Sequence, residues 1–275
     1  MTINGLVKNP LNITYAELKD FPLVSEVATL QCVGGGIRPL TLNWTGVPLF
    51  YLLSMAGVIS GEYRKVVFNA TDGFLGDILL SAAMEPTTIL GLWGNGTDLT
   101  QIMDSFGNGY SIVLPCRWGY KWVKSVQQIT VVDYDYKGTY ERQGYDDTGI
   151  RATLKMPQTN PPFQNFTVIN MDEYEFRALS NSSVEFLGFN SFGRLAFDVS
   201  GQEGVDGYFY VIFPRGLLEE PYAVIVDEMA IDYIKTRVDA NVYMFFTYAQ
   251  DFHMVEIEGV FPMAISSGGA HCFIV

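Results

Sequence analysis

Two rhythms of apolar and polar positions divide the chain near its midpoint. In the first half, strand-like apolar runs alternate with stretches whose apolar residues recur at helical spacing. Thr14 followed by Glu17 forms a capping-box signature and predicts a helix over 15–20. A second helix is predicted over 47–56, where Pro48 suits the first turn. Between them VATLQC reads as an apolar strand that runs into Gly34, Gly35 and Gly36. The stretches 64–69, 111–114 and 126–132 read as buried strands.

The rhythm breaks between Gly144 and Phe163, where Pro157, Pro161 and Pro162 oppose both helix and central strand. Short alternating stretches follow at 184–189, 194–199, 207–213, 222–226, 243–248 and 253–257, separated by turn residues. The predicted organisation is a mixed α+β domain over 1–145, a linker over 146–163, a small all-β sandwich over 164–260 and a tail over 261–275.

Composition narrows the class of function. A chain of 275 residues, 48% hydrophobic, has material for two cores. A net charge of −13 argues against nucleic acid as a partner, since phosphate backbones call for clustered Lys and Arg. Positive charge is nonetheless concentrated at Arg117, Lys121 and Lys124, with Lys137 further out. That placement suits a bound anion.

Three cysteines, Cys32, Cys116 and Cys272, have neither disulfide-framework nor zinc spacing, although one pair remains open as a disulfide. Six Asn-x-Ser/Thr sequences, at Asn12, Asn43, Asn69, Asn95, Asn165 and Asn181, favour an extracytoplasmic glycoprotein. No signal-peptide pattern and no run of 18 apolar residues is present, and the tail is too short to anchor. The chain opens directly in a strand-like run, so upstream sequence is expected, and membrane anchoring would fall to sequence outside this chain.

Two places carry candidate chemistry. Cys32 stands at a strand end beside three glycines, a backbone able to approach a large ligand, and its thiolate suits a transition metal. The segment PCRWGYKWVKSV combines Arg117, Lys121 and Lys124 with Gly119, donors of the kind a phosphate uses. A buried small cysteine and a solvated basic turn are the plain alternatives. His253 and His271 lack partners at motif spacing and are expected to be structural.

Taken in order, GLVKNPLNITYAEL, VATLQCVGGG, WTGVPLFYLLSMAGV, VVFNATDGF and PCRWGYKWVKSVQQITVVD resemble the molybdopterin-binding domain of sulfite oxidases and protein-methionine-sulfoxide reductases, over about residues 3–145. The resemblance implies a molybdenum–pyranopterin cofactor, Cys32 as metal ligand and catalytic thiolate, and pterin contacts from Thr71, Gly119, Tyr120, Lys121 and Lys124. It also implies a small-molecule substrate and an external electron carrier, since no haem motif is present. Where the family has a His or Asn and an Arg, this chain has Phe106 and Ser111. The Arg with which sulfite oxidases hold their anionic substrate falls at Gly36, with Arg38 nearby. Reduction of a neutral S- or N-oxide is therefore the expected activity, with a cofactor-free surface protein of the same fold as the alternative. The later segment 184–259 resembles a β-sandwich module of archaeal surface proteins.

Overall fold

The computed structural model describes residues 1–34, 38–59, 61, 64–102, 109–151, 166–171 and 174–261. In the first half, the strands are β1 (Thr2–Gly5), β2 (Leu11–Asn12), β3 (Val24–Leu30), β4 (Leu40–Pro48), β5 (Lys65–Ala70), β6 (Leu75–Leu79), β7 (Ile89–Gly94), β8 (Thr97–Asp98), β9 (Ser111–Val113) and β10 (Val126–Val132). They form one sheet ordered β2-β1-β10-β5-β6 and a second ordered β3-β4-β7-β8, with β9 added on β7. Among the described residues of this half only β1 and β10 pair in parallel; the other pairs are antiparallel.

Helices are few and short: α1 (Tyr15–Asp20), α2 (Leu49–Ala56), α3 (Leu80–Ala83) and α4 (Leu99–Ile102). The chain is mostly β, and the mixed α+β expectation holds only loosely. Strand pairing claimed residues that helical spacing had promised to helices. Val47 and Pro48 extend β4 against Leu90 and Ile89, so α2 starts two residues later than predicted. The capping box of α1 is present: Glu17 N–H donates to the Thr14 hydroxyl, and Thr14 N–H donates to the Glu17 carboxylate at 2.7 Å.

In the second half, two more five-stranded antiparallel sheets form. The strands are β11 (Phe166–Met171), β12 (Tyr174–Ser180), β13 (Ser183–Phe189), β14 (Leu195–Ser200), β15 (Asp206–Pro214), β16 (Glu219–Val226), β17 (Met229–Ile231), β18 (Ile234–Val238), β19 (Asn241–Ala249) and β20 (Phe252–Val260). One sheet is β11-β12-β15-β19-β18 and the other β13-β14-β20-β16-β17. Phe176, Phe197, Phe209, Phe213 and Phe246 fill a core shared by both sheets. Among the described residues of this half ten strands form, where six or seven were predicted. The strands missed include β12 and β18, whose Arg177, Lys235 and Arg237 interrupt the apolar alternation and pair with Glu85 and Glu220.

The sheet β12-β15-β19-β18 also has an apolar outer side. Tyr210 stacks on Phe50 of α2 with centroids 3.5 Å apart, and its hydroxyl donates to Met84 O at 2.9 Å. Leu179, Ile212, Val238 and Phe245 join the core of the first half. Residues 152–163 of the expected linker, including its prolines, lie outside the described residues, whereas 146–151 pack on the first half through Trp118 N–H to Gly149 O and Arg151 N–H to Cys116 O.

Candidate active site at Cys32

Strand β3 ends at Leu30 and delivers Gln31 and Cys32 to a short 3₁₀ turn, Gly119–Lys121. Gly119 N–H donates to Gln31 O at 2.7 Å. A Cβ at Gly119 would lie 2.9 Å from that oxygen, so only glycine lets the two segments come this close.

A half-open cavity of about 230 Å³ forms beside this junction. Of the residues expected at the site, Cys32, Gly119, Tyr120 and Lys124 line it. Asp72, Phe74, Trp122 and Tyr140 line it too, and sequence reasoning did not find them in this role. Tyr140 stacks on Tyr120 at 5.4 Å and 16°, and Phe74 meets Tyr140 at 6.0 Å, so one wall is aromatic. Tyr120 is fixed by its hydroxyl, which donates to Asp146 O at 2.6 Å. Burial and then the negative charge of Asp146 push Tyr120 up to about 12, which keeps it neutral. Burial lowers the Lys124 ammonium below its ordinary range, opposed by the charge of Cys32.

Residues 1–140 match the family described as oxidoreductase molybdopterin binding domain. The chain belongs to this family of oxidoreductases. It is 27% identical over 179 residues to the protein-methionine-sulfoxide reductase catalytic subunit MsrP of Gluconobacter oxydans, covering 59% of this chain and 55% of that protein. It is 27% identical over 151 residues to the uncharacterized oxidoreductase YuiH of Bacillus subtilis, covering 54% and 73%. It is 29% identical over 146 residues to the putative protein-methionine-sulfoxide reductase subunit YedZ1 of Azospira oryzae, 53% of each. The chain thus spans about half the length of two of these relatives. Among solved structures, the sulfane dehydrogenase SoxCD of Paracoccus pantotrophus aligns with TM-score 0.45 and 17% identity, over 92% of this chain and 65% of that one.

The donor set at the cavity suits the cofactor of this molybdopterin family. Among the described residues, no group of three or more His, Cys, Asp or Glu is placed to hold a metal ion. Cys32, a free and half-buried thiol, is the one soft donor on the cavity wall. A metal here would have to bring most of its ligands with it, as a pterin dithiolene does.

Other expected contacts fall elsewhere. Lys121 lies outside the cavity lining. Its buried ammonium pairs with Glu141 at 2.5 Å and donates to Asp77 O at 2.9 Å. Asp77 in turn pairs with buried Lys65 at 2.8 Å, and Lys65 holds Asp147 at 2.8 Å and Asp135 at 3.0 Å. Lys65 is raised because these carboxylates together override the opposing effect of its burial. The network ties the segment bearing Tyr140 to β5 and β6. Lys121 is therefore better read as a structural cation than as a phosphate ligand. The sequence sign was a lone charge within an apolar strand, Asp77 in LGDILL, which demands a buried partner.

Thr71 is exposed, donates its N–H to Ser125 O and leaves the cavity wall to Asp72, one residue on. The Gly119 N–H, expected at a phosphate, is spent on Gln31. Ser111, at the place of the missing Arg, is buried in β9 and bridged by its backbone to Lys124. Phe106, Gly36, His271 and Cys272 lie outside the described residues, and Arg38 is exposed and off the cavity wall. Cys116 takes φ 60° and does not line the cavity. His253 pairs with Asp227 at 2.5 Å in the second half, far along the chain from Cys32.

Proposed function

We propose that this protein reduces a neutral S- or N-oxide at a molybdenum–pyranopterin centre outside the cytoplasm, with Cys32 as the protein's ligand to the metal. The observation that carries this reading is the charge balance of the Cys32 cavity. Among the described residues its wall holds one ammonium, Lys124, against one carboxylate, Asp72. An anion such as sulfite would gain little there, whereas a neutral oxide needs no net positive field. When bound, the cofactor supplies two-electron oxygen-atom transfer.

The chain's own residues shape what surrounds that chemistry. Phe74, Tyr120, Trp122 and Tyr140 give the cavity an apolar wall that limits water and suits the alkyl part of a sulfoxide. Lys124 offers a hydrogen-bond donor whose burial makes proton release easier. Gly119 sets the position of Cys32 through Gln31. Overall, an oxide plus two electrons and two protons gives the reduced substrate and water, so an external electron donor is required. The names of two relatives, both protein-methionine-sulfoxide reductase subunits, support a sulfoxide as substrate.

Location outside the cytoplasm rests on the sequons, of which Asn12, Asn43 and Asn95 are exposed. The second half is read as a module of the kind carried by archaeal surface proteins, with any anchor supplied by sequence outside this chain. The test is molybdenum and pterin content of protein from a host that makes the cofactor, followed by turnover of methionine sulfoxide and trimethylamine N-oxide with reduced viologen. Molybdenum near one atom per chain, lost in Cys32→Ser, is expected. Folded protein without metal or pterin overturns the reading.

A further inference from the structure

A second and larger cavity, of about 600 Å³, lies where the two halves meet, well away from Cys32. Strand β3 links the two places: its N-terminal approach lines this groove and its C-terminal end carries Cys32. Seven strand residues separate them, roughly 23 Å at the rise of an extended chain.

One wall is a continuous chain of aromatic rings. Phe21 meets Tyr51 edge-on at 5.4 Å, Tyr51 meets Phe245 at 5.1 Å, and Phe245 stacks with Tyr208 at 6.4 Å. Phe21, Tyr51 and Tyr208 face the groove. Among the described residues, the charged ones lining it are Asp20 and Asp206, with no Lys or Arg. The cation adjacent in sequence, Lys19, is directed elsewhere, over the ring of Tyr15 at 4.2 Å. Asp20 is the last residue of α1 and is exposed.

The groove is held open by its own wall. Asn181 donates to Asp206 O at 2.9 Å and accepts from Tyr208 N–H at 2.9 Å, joining the acidic and aromatic sides.

We infer that this groove binds an organic cation, an ammonium or guanidinium group seated between Asp20 and Asp206 with its alkyl part against Tyr51 and Tyr208. Aromatic faces and unpaired-sign carboxylates recognise that chemistry together, and the net charge of −13 draws cations to the molecule. The source is either a free small molecule or a Lys or Arg side chain of a partner protein.

The full-length protein is titrated with N-acetyl-arginine amide, its neutral isostere N-acetyl-citrulline amide and the peptide acetyl-Gly-Arg-Gly-Arg-Gly amide, followed by amide NMR shifts and calorimetry. Saturable shifts at Tyr51, Asp206, Tyr208 and Thr247 are expected for the arginine compound, with citrulline weaker by about fivefold or more. The double variant Asp20→Asn, Asp206→Asn should lose about tenfold in affinity, while each half keeps its native spectrum elsewhere. Tighter binding of the peptide than of the single amide assigns the groove to a partner protein; equal binding assigns it to a small cation. Equal binding of citrulline, unchanged affinity in the double variant, or no movement of groove resonances overturns the inference. None of these readouts depends on molybdenum.

Discussion

The backbone N–H of Gly119 is hydrogen-bonded to the carbonyl of Gln31 at 2.7 Å, which pins the backbone one residue before Cys32. A methyl group at Gly119 would press on backbone atoms that cannot step aside by a rotamer change. Gly119→Ala should therefore cost roughly 1–3 kcal/mol of stability and displace Cys32. The expected signature is a folded protein with a lowered melting temperature, a changed rate of thiol modification at Cys32 and reduced molybdenum content. Native values on all three would show that the Gln31 contact does not position the thiol.

The two lysines of the GYKWVK segment should respond in opposite ways. Lys121→Met strands Glu141 in the interior and takes a donor from Asp77 O, and removing one partner of a buried ion pair costs about 3–5 kcal/mol. Lys124→Met removes a cation from the cavity wall without breaking the buried Lys121–Glu141 pair. Thermal melts should separate them sharply, with Lys124→Met near wild type. Pterin retention should fall in Lys124→Met. A Lys121→Met protein of normal stability that loses pterin would restore the phosphate-binding role first expected of that residue.

Much of this site was legible in the sequence because it lies in contiguous segments. Cys32 ends an apolar strand beside glycines, and Gly119, Tyr120 and Lys124 share one turn, so local patterning found them together. Asp72 was missed by one position because an Asx turn, Asp72 accepting from Phe74 N–H at 2.9 Å, rotates the loop relative to the strand register. Tyr140 was missed because its neighbours are held from afar, Gly138 N–H by Asp77 Oδ1 across 61 residues and Thr139 N–H by Leu75 O at 2.7 Å, which no local pattern reveals. The same limit applied to the fold. Capping chemistry located α1, but Val47 and Pro48 went to a strand because β7 offered them hydrogen bonds. The strands with alternating charges were missed because Lys235 and Arg237 obtain their partner, Glu220, only after folding.

The stacked pair Phe50 and Tyr210 makes a further prediction about cooperativity. Tyr210 belongs to β15 yet is buried in the core of the first half, with its hydroxyl on Met84 O. Tyr210→Ala should open a cavity between the halves at a cost of about 3–5 kcal/mol. Calorimetry of the wild type should show one transition, and the variant should separate it into two. Two independent transitions already present in the wild type would mean that the halves are not energetically joined there.

Buried Glu26 offers a pH-dependent test with a definite sign. It sits in β3 facing the core, its Oε1 has no hydrogen-bond partner, and burial raises its pKa well above 4.5. The unfolded chain releases this proton near its ordinary value, while the folded chain keeps it. Between those two values the unfolded state binds fewer protons, so each rise in pH favours unfolding and the stability contributed by Glu26 falls. Below the unfolded value both states are protonated and the penalty vanishes. Glu26→Gln replaces the carboxyl with a neutral group of the same shape. The variant should melt higher than wild type at pH 7 and equal to it near pH 4, as measured by parallel thermal unfolding across that range. A variant less stable than wild type at pH 7 would show that Glu26 is ionised and paired in the folded protein, and the assignment of a neutral buried acid would fail.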